Sequence, residues 1–166
     1  MKKVLGIALM LLFAIQCPVS SKELSDMDFM SAKIKLIDIQ RILTQGGFQI
    51  DLIPKQEFAN MTQEEQINTV LLKGNLETGA FIAKEIFSLY ALQSMYSSMP
   101  PEAKKMLIDS CLGDIEFLNG IIEKLKLMEA KISNPKVKNI LNESLLTLND
   151  ANEAIKGIKD YTESNL

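Results

Sequence analysis

From residue 63 to 98, apolar or small side chains recur at steps of three and four, through Ile67, Val70, Leu71, Gly74, Thr78, Phe81, Ile82, Leu89, Leu92, Tyr96 and Met99. Only a helix keeps such a series on one side, so the spacing predicts one long helix with this stripe facing the core. Thr62 with Glu65 three residues later predicts a capping box, the threonine oxygen taking the Glu65 amide while the glutamate reaches back. Pro100 and Pro101 remove two donors and fix φ, which is tolerated in the first turn of a new helix and not inside an old one. A second arm is therefore expected over 101–133. Its stripe is Leu107, Cys111, Leu118, Ile121, Leu125, Met128 and Ile132, with Ile108, Leu112, Ile115 and Ile122 alongside, a broad arc that predicts the most buried helix.

Before this hairpin, residues 26–45 read as a helix apolar on two sides. Met27, Met30, Ile34 and Ile37 make one stripe; Phe29, Ala32, Leu36, Ile39 and Leu43 make the other. Two apolar faces need two things to pack against, and Phe29, Leu36 and Leu43 are the candidate partner face. Gly46-Gly47 is read as the glycine cap that ends this helix. Phe48, Ile50 and Leu52 then alternate with polar residues before Pro54, which predicts a short extended segment inside a long irregular loop, closing one end of the molecule. Asn134 suits an N-cap and Pro135 a first helical position, opening an amphipathic last helix over 135–161. The expected fold is all-α: an antiparallel four-helix bundle organised on the long central hairpin, which should project beyond the shorter first helix.

Two acids interrupt apolar stripes, Glu85 in the first hairpin arm and Asp114 in the second. A turn near residues 99 and 100 sets them opposite each other. Buried like charges need compensation, and Arg41, the only arginine, continues the Met30, Ile34, Ile37 stripe. The expectation is a structural polar cluster of Arg41, Glu85 and Asp114 that fixes helix register.

The N-terminus changes the setting. Lys2 and Lys3 precede an uncharged apolar stretch from Val4 to Ile15, too short for the roughly 20 residues of a membrane span. Val19 and Ser21 fit a signal-peptidase site, so residues 1–21 are expected to be a secretory signal of bacterial type, leaving 22–166 as one helical domain, periplasmic or secreted. Residues 13–17 also resemble the lipobox of bacterial lipoproteins, and more closely the relaxed lipoboxes of spirochaete lipoproteins, with Gln16 departing from the small residue that pattern prefers. That resemblance implies acylation of Cys17 and a surface lipoprotein. Removing residues 1–21 takes away two lysines and no acid, moving the formal charge from −3 to −5. No concentrated basic face exists, so nucleic acid is not an expected partner. Cys111 is left without an intrachain thiol partner, and stability must come from the core.

The inventory for catalysis is thin: no histidine, no tryptophan, and no serine in an activated setting. Neither clustered metal ligands nor a phosphate-cradling glycine loop is present, so no enzyme, cofactor or metal is expected. What remains is an interaction protein that presents helical faces to a protein partner or to a second copy of itself. The alternative is a carrier holding an apolar ligand among Met27, Met30, Met61, Met95, Met99, Met106 and Met128.

Overall fold

The computed structural model describes residues 21–95 and 100–164, and the side chains of 30–89 and 100–164. It is all-helical, with no strand among the described residues: α1 (Ser21–Asp51), α2 (Lys55–Ala59), α3 (Gln63–Met95), α4 (Pro101–Met128), a 3-10 turn (Glu129–Lys131) and α5 (Pro135–Ser164). None of these helices is long and apolar enough to cross a membrane.

The first helix is longer than its pattern implied. It runs through Gly46 and Gly47 to Asp51, and no described glycine has positive φ. Here the glycines serve close approach and not a cap. A Cβ on Gly46 would lie 3.2 Å from Leu76 Cδ1, and one on Gly79 would lie 2.7 Å from Leu148 Cδ2 and 3.2 Å from Leu43 Cδ1. The expected extended segment is thus helical: Ile50 is buried while Phe48 and Leu52 point outward. The connection to α3 is also not an irregular loop, since it carries α2, started by the Phe58 amide donating to Pro54 O at 2.9 Å. The four long helices have 31, 33, 28 and 30 residues, so α1 is not the short helix its pattern implied.

Nor is the hairpin what the rest packs on. α1 packs broadly against both α3 and α5, α5 also covers α4, and α3 touches α4 only lightly. Among the described residues α5 buries the most, Val137, Ile140, Leu141, Leu148, Ala151, Ala154, Ile155 and Ile158 along with Ser144, Thr147, Asn152 and Thr162. These small residues admit neighbours on two sides. Their hydroxyls are satisfied within the helix, Thr147 Oγ1 donating to Glu143 O at 2.8 Å and Thr162 Oγ1 to Ile158 O at 2.9 Å. Asn152 Nδ2 donates to Asn119 Oδ1 at 2.6 Å and ties α5 to α4.

On α3 the predicted stripe divides: Ile67, Val70, Leu71 and Phe81 are exposed, Ile82 is buried and Leu89 packs against the core, and the side chains of Leu92, Tyr96 and Met99 lie outside the described residues. The core face is Leu72, Leu76, Gly79, Ala80, Ile82, Ala83 and Ile86, with Glu65, Asn68 and Thr69 at its N-terminal end. The more apolar series through Ile67, Val70, Leu71 and Phe81 faces away. Backbone proximity decided this: the face with small residues lets α1 and α5 come close, so it is the one that packs best.

Candidate functional site

The predicted cluster does not assemble. Arg41 lies exposed on α1, 3.4 Å from Asp38 one turn away, and joins neither acid. Glu85 and Asp114 do come together across α3 and α4: burial, then the Glu85 charge, push the Asp114 carboxyl up to about 6 from 3.8. Glu85 stays exposed and Asp114 half-buried, so the pair meets solvent and needs no guanidinium. Cys111, beside them, is buried; burial and the Asp114 charge push its thiol up to about 12 against the pull of Lys159, which makes it a poor nucleophile.

The candidate partner face on α1 is reversed. Leu36 and Leu43 are among the most deeply buried residues of the core, together with Ala32 and Ile39, while Met30, Ile34 and Ile37 are exposed. The side chain of Phe29 lies outside the described residues, as do Cys17 and the expected signal segment up to residue 20. The two stripes were equally apolar in sequence, and only the one bearing Ala32 fits against Gly157 of α5.

Large apolar side chains are exposed on the outer sides of α3 and α1. On α3, Ile67 is 52% exposed, Val70 59%, Leu71 50% and Phe81 63%; on α1, Phe48 is 60% and Leu52 63% exposed. At about 100° per residue the four α3 side chains share the side opposite Leu72 and Leu76. A Cβ on Gly47 would lie 3.9 Å from Glu77 Cγ, and Lys73 Nζ meets Asp51 Oδ1 at 2.7 Å. These contacts set Gly47 beside Glu77 and Asp51 beside Lys73, so charged side chains stand at the seam between the two helices.

At the start of α3 a polar network closes the end of the molecule. The Thr62 Oγ1 accepts from the Glu65 amide at 3.2 Å, the first half of the capping box. The second half is replaced: the Glu65 carboxylate crosses to the chain entering α5, accepting from the Ser133 amide at 2.7 Å, the Ser133 hydroxyl at 3.1 Å and the Asn134 amide. Asn134 Oδ1 caps α5 by accepting from the Lys136 and Val137 amides at 3.0 and 3.2 Å, and its Nδ2 donates to Glu57 Oε1 at 3.0 Å. Lys136 Nζ lies 2.7 Å from Glu57 Oε2. Burial pushes Glu65 up, but the amides of Asn134 and Ser133 and the Ser133 hydroxyl outweigh it and hold the carboxyl below its usual value. Sequence spacing pointed to Thr62 and Asn134 as caps; the link between them through Glu65 had no local signal.

A cleft of about 500 Å³ opens beside this network, lined by Pro54, Gln56, Glu57, Asn60, Met61, Glu65, Ser133 and Asn134. Its carboxylates are already spoken for, which suits a structural clasp more than a ligand cradle. Of the other methionines, Met128 is buried in the core, Met30 and Met106 are exposed, and the side chains of Met27, Met95 and Met99 lie outside the described residues. Among the described residues no group of three metal-ligating side chains comes together. Compared with family models, with curated proteins and with solved structures, the chain matches none.

Proposed function

We propose that the protein is an exported interaction protein: an antiparallel four-helix bundle that presents a helical face to a protein partner. The observation that carries this is the outer side of α3, where Ile67, Val70, Leu71 and Phe81 are each half or more exposed on one side of the helix. Contiguous apolar surface of this kind marks interaction sites, because water against it is costly. Cross-contacts support the antiparallel arrangement: Gly46 beside Leu76 and Gly79 beside Leu43 run α1 against α3, and Gly46 beside Ile140 with Gly157 beside Ala32 run α1 against α5.

The test is a photo-crosslinking residue placed at Val70, with Leu127 on α4, 73% exposed, as the control site. Irradiation in cells should give a discrete adduct from position 70 and none from position 127. Absence of any adduct at 70 would remove the interaction reading. Intact mass of the same preparation checks export: a chain beginning at Lys22 is expected, and one beginning at an acylated Cys17 makes it a surface lipoprotein.

A further inference from the structure

The long helices are not equally joined. α4 lies broadly against α5, where Leu118, Ile122 and Leu125 are buried and Asn152 Nδ2 donates to Asn119 Oδ1 at 2.6 Å, while it touches α3 only lightly. α3 is tied to the second arm at one end. There the Glu65 carboxylate accepts from the Ser133 amide at 2.7 Å, and Lys131 Nζ lies 3.1 Å from Glu64 Oε1. Farther along, about 30 Å from that clasp at a rise of about 1.5 Å per residue, the arms bring Glu85 and Asp114 together.

Two like charges at the far end of a seam pinned only at its near end act directly on its opening. Glu85 is exposed on α3 and Asp114 is half-buried on α4. On α4 itself the neighbour of Asp114 is the Cys111 thiol, one turn before it, which burial keeps protonated. From α5 comes Lys159, which pulls on Cys111 and is held by Asp160 at 2.8 Å and Glu163 at 3.0 Å. Lys33 of α1 stands over the Phe87 ring at 5.7 Å, on the side of α3 that meets α1. Neither cation figures in what acts on Asp114, which is burial and then the Glu85 charge.

We infer that α3 and α4 form a pH-gated hinge: held at the Glu65 clasp, the seam stays closed while Asp114 carries a proton and parts at its far end when both carboxyls are ionised. A lightly packed pair of helices separates at lower cost than a broadly packed one, so α4 moves with α5 and away from α3. Closed, the Asp114 carboxyl titrates at about 6 against 3.8; opening admits water and returns it toward the lower value. The proton's help to the closed state is therefore complete below pH 3.8 and lost as pH rises through about 6. Opening uncovers the core side of α4, where Cys111 is fully buried.

Thiol labelling of the purified protein with methyl methanethiosulfonate tests the hinge, each rate divided by that of the urea-unfolded chain at the same pH and assigned by peptide mass. Ala154→Cys supplies a second buried thiol away from the seam, on α5 one turn from Gly157, where α5 meets Ala32 of α1. At pH 7.5 Cys111 should label at least about 10-fold faster than the thiol of Ala154→Cys, because the seam opens without the molecule unfolding. Protection of Cys111 should rise about 5-fold from pH 7.5 to pH 5, a modest factor because solvent screens the half-buried carboxyl. Asp114→Asn, and Glu85→Gln at its exposed position, should each show at pH 7.5 the protection that the unaltered protein reaches at pH 5. Equal labelling of the two thiols would mean that Cys111 is reached only by global unfolding, and overturns the hinge. Protection of Cys111 that ignores pH, or that changes as much in Asp114→Asn, overturns it as well.

Discussion

Glu65 and Asp114 are two carboxyl groups that the fold treats in opposite ways. Glu65 holds the end of the molecule by accepting two backbone amides and a hydroxyl, so Glu65→Ala leaves the Ser133 and Asn134 amides without their acceptor. We expect a loss of about 2–4 kcal/mol in chemical denaturation, with Glu65→Gln recovering part of it by keeping one acceptor. Because its folded pKa is lowered from 4.5, its contribution is complete above pH 4.5 and fades as pH falls through the lower folded value. Asp114 has the other sign. Its folded pKa is raised from 3.8 to about 6, so the folded state favours its proton; that benefit is present below pH 3.8 and is lost as pH rises through about 6. Asp114→Asn should therefore raise the melting temperature at pH 7.5 and leave it unchanged at pH 3.5. The gain should be on the order of 1 kcal/mol, because solvent reaches the half-buried carboxyl and screens the repulsion from Glu85. Arg41→Met should cost under about 0.5 kcal/mol, since its pairing with Asp38 is exposed.

At the scale of an element, the helices are distinguished less by how apolar their faces are than by how closely those faces can be approached. Gly79 is the tightest point, where α1, α3 and α5 meet. Gly79→Ala should cost about 1–3 kcal/mol despite the better helix propensity of alanine, because Leu148 and Leu43 must move. Gly113→Ala and Gly120→Ala, with open space around them, should each gain up to about 1 kcal/mol on the same thermal melt. Equal outcomes at the three positions would show that propensity and not packing governs the helices. The same logic separates the two sides of α3: Leu76→Ala should lose about 2–5 kcal/mol, and Val70→Ala should change little in a monomer.

For the whole molecule, α1 and α5 form the middle and α3 and α4 stand on either side of them. The double substitution Leu36→Glu, Leu43→Glu is expected to unfold the protein, read as loss of the cooperative melt, because it buries two unpaired charges where α1 meets its neighbours. A folded but monomeric double variant would place those leucines at a surface instead.

Sequence alone determined the helical class, the breaks near Thr62, Pro100 and Asn134, and most of the buried positions on α4 and α5. These are local matters: capping side chains, proline geometry and a single unambiguous apolar arc act within a few residues. It also brought Glu85 near Asp114, whose carboxyl feels the Glu85 charge, since a break close to Pro100 limits the register of the arms on either side. Tertiary structure decided the rest. On α1 and α3 two apolar faces competed, and the winner was the one whose alanines and glycines admit neighbouring backbones, a property invisible to hydrophobicity. Gly46-Gly47 read as a helix end because glycine is permissive, yet α3 packing against it holds the helix intact. Glu65 was legible as half of a cap, but its true partners lie far along the chain at Ser133 and Asn134, where only the fold brings them within reach of its carboxylate.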